Sequence, residues 1–115
     1  MSFSRIEVIM SMDKVGELQK ALSKAGVSGM TLSQVLGCGV QKGTYEYEVS
    51  QNVEMRLLPK QMVTIIVESE KEDAVLEVIK KELYTGHIGD GKIFVSDVRR
   101  VVRVRTGEEG LEALK

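Results

Sequence analysis

QMVTIIVESEKEDAVLEVIKKELY, residues 61–84, is the stretch from which the fold can be worked out. Gln61 to Val67 is almost continuously apolar, with Thr64 the main exception. That is the pattern of a strand covered on both faces, and so of a central one. After Glu68 the period changes: Val75, Leu76, Ile79 and Leu83 fall on one face of a helix. Ser69 and Asp73 suit its start, and Lys80 and Lys81 stand near the end, where cations complement the helix dipole. The spacing predicts a helix from Ser69 to Tyr84, ended by Gly86.

Upstream, Phe3 to Met10 is β-branched and apolar with Glu7 interrupting, the mark of a first strand. Ser11 or Asp13 can cap a helix whose apolar positions are Val15, Leu18, Leu22 and Ala25, with Gly26 stopping it. Met30 to Leu36 begins as an alternating strand, and the alternation fails at Val35-Leu36, which predicts a bend or bulge before Gly37. Downstream, Lys92 to Val98 and Val101 to Val104 read as a last strand, in one piece or two, because Arg99-Arg100 interrupts. The order β-α-β-β-α-β predicts an α+β, ferredoxin-like fold, an antiparallel sheet with two helices on one face. Since the third strand is apolar on both faces and helices cover only one, the other face calls for an oligomer.

One domain spanning 1–115 is the natural reading of 115 residues. With 16 basic against 17 acidic residues the net charge is −1, so there is no global attraction to nucleic acid or anionic lipid. A single cysteine, Cys38, and a single histidine, His87, cannot build a Cys/His zinc site or an intrachain disulfide. No apolar run approaches the roughly 20 residues of a membrane span. The N-terminus lacks the pattern of a signal peptide, so a cytoplasmic protein is expected.

Between Gly37 and Pro59 the chain is polar and far longer than an ordinary connection of about 4–6 residues, which suggests a functional loop over 40–58. Tyr45, Tyr47, Val49, Val53 and Met55 alternate with polar residues, so a projecting hairpin fits equally well.

Eight glycines fall in three clusters, Gly37, Gly39 and Gly43, then Gly86, Gly89 and Gly91, then Gly107 and Gly110, each beside a basic residue. Glycine lets backbone amides approach a ligand closely and form a concave anion site, with phosphate the obvious anion. Gly86 to Lys92 has the G-x-x-x-x-G-K spacing of a Walker loop. It lacks the following Ser or Thr, since Ile93 stands there, and it leads into a strand where a Walker loop opens into a helix. The segment 85–92 can still cradle phosphates with Lys92 as the point charge, or it can be a helix stop and a tight turn. Arg103 and Arg105, two apart on an expected strand within the basic segment 99–115, would share a face and fork onto phosphate oxygens. A solvated edge strand bearing arginines is the plainer alternative. His87 has no neighbouring Cys, Ser or second His and reads as a loop histidine. No Ser/His/Asp set is visible, so regulation or binding is expected and catalysis is not.

Thr85-Gly-His-Ile-Gly-Asp-Gly-Lys-Ile-Phe-Val95, with Val102-Arg-Val-Arg-Thr-Gly-Glu-Glu-Gly110, closely resembles the C-terminal signature of the PII nitrogen-regulatory signal-transduction family. Gly29-Met-Thr31, Gly37-Cys-Gly-Val-Gln-Lys-Gly43 and Leu58-Pro-Lys60 follow in family order and spacing. The resemblance implies a homotrimer with nucleotide sites in the clefts between neighbours, taking ATP or ADP. Thr31, Gly37, Gly39, Gly89, Gly91 and Lys92 would come from one side and Arg103 and Arg105 from the other. It further implies that Mg-ATP recruits 2-oxoglutarate through Gln41 (on the metal), Lys42, Gly43, Lys60, Ile88 and Gly89. The loop would then dock on an ammonium transporter or a nitrogen-metabolism enzyme or regulator, the only route to a membrane.

Departures from the family pattern are local. Val53 stands where many members carry a modified tyrosine, Val40 where arginine is common, Ser11 where a basic residue often serves the effector, and Thr64 where an acidic residue often pairs with the lysine matching Lys92. Fewer cations weaken attraction for a dianion. The alternative expectation is therefore a sensor of adenylate state alone, acting on another transporter or enzyme.

Overall fold

Phe3–Met10 forms β1, whose alternation decides which way the sheet faces. Ser4, Ile6, Val8 and Met10 are buried on one side, whereas Arg5, Glu7 and Ile9 keep access to solvent on the other. The computed structural model describes residues 2–39, 56–87 and 89–115. Gln41, Lys42, Gly43 and Ile88, and the loop residues Tyr45 to Val53, lie outside them.

After a single 3-10 turn at Met12–Lys14 the chain enters α1, Val15–Lys24. Neither expected cap is used: the Ser11 hydroxyl donates to Asp13 Oδ1 at 2.6 Å, leaving the helix without a side-chain cap. The other end follows expectation. Gly26 has φ +89°, its N–H donates to Ser23 O at 3.1 Å, and Val27 N–H donates to Leu22 O at 3.0 Å. That is a Schellman closure, completed by Val27 packing on the core that holds Leu22.

The remaining elements are β2 (Thr31–Gly39), β3 (Arg56–Glu68), α2 (Glu72–Leu83, preceded by a 3-10 turn at Ser69–Lys71), β4 (Lys92–Val98) and a short α3 (Leu111–Leu114). The sheet order is β2-β3-β1-β4 and every pair is antiparallel. This is the split β-α-β arrangement expected, with the apolar third strand central. Leu18 and Leu22 of α1 and Val75, Ile79 and Leu83 of α2 close over Ile6, Val8, Met10, Val63, Ile65 and Val67. Each such side chain, fully buried, contributes about 1.5–3 kcal/mol. Ser4, a fully buried polar side chain of this layer, donates to Glu72 Oε1 at 2.6 Å and lies 2.9 Å from Ser69 Oγ. It ties β1 to the start of α2.

Four expectations need correcting. The register from Thr31↔Thr64 to Gly39↔Arg56 advances without a slip, so there is no bulge before Gly37. Strands β2 and β3 also run further than their apolar cores: β2 continues through Gly37 and Gly39, and residues 56–58, assigned to the loop, are strand. Arg56 to Lys60 pair with β2 alone, because β1 ends at Met10, opposite Gln61. Pro59 is tolerated there because only one neighbouring strand remains to be paired. Gly86 does not stop α2: the helix ends at Leu83, Tyr84 is already extended, and Gly86 turns the chain further on. Finally, Val101 to Val104 is not a strand. Val102 makes an isolated bridge with Glu109 around a turn at 104–106, closed by Gly107 with φ +76°. Ion pairs across that turn, Arg103 with Glu108 at 2.9 Å and Arg100 with Glu109 at 2.7 Å, favour it over an extended chain with no partner. Arg103 and Arg105 therefore do not present a shared strand face.

Candidate functional site

Beyond Tyr84 the chain must turn back to enter β4, and the turn is organised around one carboxylate. Asp90 Oδ2 accepts the N–H groups of Thr85 at 2.8 Å and Gly86 at 3.0 Å, while Oδ1 accepts the Thr85 hydroxyl. These bonds, the Thr85 hydroxyl first, hold the Asp90 carboxyl below its ordinary value of 3.8, because each donor favours the charged form. The Thr85 oxygen also accepts the His87 N–H at 3.2 Å, and His87 Nδ1 lies 3.1 Å from Thr85 O. Gly89 and Gly91 have φ of +101° and +115°. At Gly91 a Cβ would lie 2.4 Å from the Ile9 carbonyl oxygen, so only glycine lets the turn rest on the backbone of β1.

Where this turn meets the open face of the sheet there is a cavity of about 480 Å³, lined by Ile9, Lys60, His87, Gly89, Asp90, Gly91, Lys92 and Phe94. Register explains the convergence. Lys92 is opposite Ile9, Ile9 is opposite Met62, and Lys60 stands two residues from Met62 on the same face. Two ammonium groups from different strands thus border a floor of Ile9 and half-exposed Phe94. On β2, a Cβ at Gly37 would lie 3.1 Å from Lys60 Cγ and 3.9 Å from Lys60 Cε, so the absent side chain at Gly37 makes room for the lysine stem.

The cavity therefore brings together Gly89, Gly91, Lys92 and Lys60 from the predicted set, with Gly37 behind Lys60. Thr31 is not among them: it opens β2 and pairs with Thr64. Arg103 and Arg105 are further away still. Lys92 is at the Ile9 end of β4 and Val98 is opposite Phe3, a span of about 20 Å at roughly 3.3 Å per residue, and the arginines follow Val98. Arg103 is engaged with Glu108 and with the backbone oxygen of Lys115. Ile9, Phe94 and His87 were not predicted as site residues. Strand parity places Ile9 and Phe94 on the helix-free face, so their signal was present. His87 carried none beyond its place in the glycine turn.

Chemically, two lysines, glycine amides and an apolar floor suit an anion with an organic body. Among the described residues there is no cluster of three or more His, Cys, Asp or Glu that could hold a metal ion, and no helix is long and apolar enough to cross a membrane.

Residues 3–108 match the family described as nitrogen regulatory protein P-II. The nitrogen regulatory protein P-II of Rhizobium meliloti is 42% identical over 110 residues, covering 96% of this chain and 98% of its own. Among solved structures, a B. subtilis GlnK-ATP complex is similar with a TM-score of 0.83 and 34% identity, covering 98% of both chains. Arabidopsis thaliana PII bound to citrate is similar with a TM-score of 0.79 and 33% identity, covering 97% of this chain and 92% of its own.

Proposed function

Because this chain belongs to the nitrogen regulatory protein P-II family, we propose that it is a homotrimeric regulator that binds ATP or ADP in clefts between its copies and controls nitrogen metabolism by protein contact. One observation carries the reading. The anion-suited residues lie in two groups at opposite ends of β4, with Gly89, Gly91 and Lys92 at one end and Arg103 and Arg105 beyond the other. A ligand held by the first group can meet the second only from a neighbouring copy. The helix-free face, with Ile9, Met62, Ile66 and Phe94 on it, is the apolar surface such a neighbour would cover.

The ATP complex of the B. subtilis relative supports a nucleotide at this cleft, and the citrate complex of the Arabidopsis relative supports a carboxylate effector. In this reading Lys92 and the Gly89 and Gly91 amides take phosphate oxygens, Thr31, Gly37 and Gly39 line the β2 side, and Lys60 with Gln41, Lys42, Gly43, Ile88 and Gly89 takes 2-oxoglutarate. Magnesium enters with the ATP phosphates and Gln41, and with no described side chain. The protein acts by population shift: different ligands favour different states of the loop 40–58, and a partner such as an ammonium transporter binds one of them.

A mixed-assembly experiment tests the cleft. Lys92→Ala and Arg103→Ala should each lower ATP affinity by about ten- to a hundredfold, the loss of one charge-assisted contact of about 1.5–3 kcal/mol. Co-assembled copies of the two variants should regain tight sites, because one interface then carries both wild-type halves. No recovery on mixing would place the whole site within one chain or elsewhere. Calorimetry with 2-oxoglutarate separates the two sensor readings. Ser11, paired with Asp13, and uncharged Thr64 favour adenylate sensing alone, whereas 2-oxoglutarate heat appearing only with Mg-ATP would establish the nitrogen response.

A further inference from the structure

We propose that His87 is a proton-controlled third cation of the Lys60–Lys92 cavity, so that polyphosphate binding there strengthens as pH falls. The inference rests on the reading of that cavity as the phosphate end of the nucleotide site. His87 lines the cavity with both lysines. Its Nδ1 is 3.1 Å from the carbonyl oxygen of Thr85, which can only accept, so Nδ1 carries the proton and Nε2 is the nitrogen left for a ligand. The ring is held from behind as well: its own N–H donates to the Thr85 hydroxyl oxygen, and Thr85 is fixed by Asp90.

In this tautomer a neutral imidazole offers a phosphate oxygen only the Nε2 lone pair, which repels it. Protonation converts Nε2 into a charged donor. Imidazole is the side-chain type whose charge ordinarily changes between pH 5 and 8. Among the described residues, the charged groups facing the cavity are Lys60 from β3, Lys92 from β4 and Asp90 from the turn itself, while β1 contributes only Ile9. Asp90 is held ionised by its donors. His87 is thus the cavity side chain able to convert a pH change into a change of local charge.

The test measures ATP affinity by calorimetry at pH 8 and pH 6 for the wild type, His87→Gln and His87→Lys. Taking the ratio between proteins at each pH cancels the titration of ATP itself. The wild type should match His87→Gln at pH 8 and bind about fivefold more tightly at pH 6, the size of one partly solvated charge contact. His87→Lys, a fixed cation, should keep that advantage at both. A wild-type to His87→Gln ratio that does not change with pH overturns the proposal. The sequence contains one histidine, so the imidazole signal in an NMR titration reports His87 alone. Linkage requires ATP to shift its titration to higher pH, and an unmoved titration overturns the proposal independently of any variant. ATP binding that survives Lys92→Ala unchanged would remove the cavity reading itself, whereas Lys92-dependent binding with a constant ratio removes only the role of His87.

Discussion

Replacing Gly91 with alanine should be among the most damaging single-atom additions this chain can receive. The new Cβ would stand 2.4 Å from the Ile9 carbonyl oxygen and 3.4 Å from both Ile9 C and Met10 Cα. These are backbone atoms of β1, held between β3 and β4, so no side-chain rotation can relieve the contact. A non-glycine residue at φ +115° adds strain of about 1–3 kcal/mol, and overpacking costs about 1–3 kcal/mol more. A total near 4 kcal/mol corresponds to a fall in melting temperature of roughly 15 °C for a domain of this size. Two other glycines separate the causes. Gly89 shares the unusual φ, at +101°, but has open space where its Cβ would be, so Gly89→Ala should cost only about 1–3 kcal/mol. Gly16, in α1, has open space and no such angle, and Gly16→Ala should stabilise by about 0.5–1 kcal/mol. The assay is urea denaturation followed by circular dichroism at one protein concentration, since assembly makes apparent stability concentration-dependent. If Gly91→Ala proves no less stable than Gly89→Ala, the turn yields freely and is not seated on β1.

Two further outcomes follow from polar contacts. Ser4→Ala removes the donor to Glu72 from the β1–α2 junction and should cost about 1–2 kcal/mol by the same denaturation assay; a neutral effect would mean that water replaces the hydroxyl without loss. The lowered Asp90 carboxyl gives a pH dependence of definite sign: order in the turn is fully present above the ordinary value of 3.8 and declines as pH falls through the lower folded value. Amide exchange at Thr85 and Gly86 should therefore lose protection, at matched intrinsic rates, below about pH 4 and not between pH 5 and 7. Protection that weakens on raising the pH from 5 to 7 would contradict the assignment.

The elements that were legible in the sequence are those with one buried face. Phe3–Met10, Val15–Lys24 and Glu72–Leu83 announce themselves by periodicity, because the core imposes it. The ends of β2 and β3 did not, for a physical reason: among the described residues no third strand adjoins Arg56 to Lys60 past Met10, and Leu36, Leu57 and Leu58 stay exposed, so nothing there enforces alternation. The arginine segment misled for the opposite reason. Val102 to Arg105 alternates, but Glu108 and Glu109 across the turn capture Arg103 and Arg100. For the site, residue type was enough to select Gly89, Gly91, Lys92 and Lys60. Their meeting depends on the register of three strands, and that same register is what brings in Ile9 and Phe94.

The balance of charge in the cavity depends on where Asp90 directs its own. As the one carboxylate among the described lining residues, a free Asp90 would cancel a lysine and repel phosphate. Both of its oxygens are instead committed, Oδ2 to two backbone amides and Oδ1 to a hydroxyl, so neither is free to pair with a cavity lysine. Lys60 and Lys92 are left facing the open sheet, where water screens them and a single pair of ammonium groups holds a polyanion weakly. Covering the helix-free face with another copy would remove that screening and add the arginines that this chain keeps at the far end of β4. In the proposed cleft, binding and assembly would strengthen each other: the anion would draw its second set of cations from the neighbour, and neighbouring copies that bring cations together would be held by the anion.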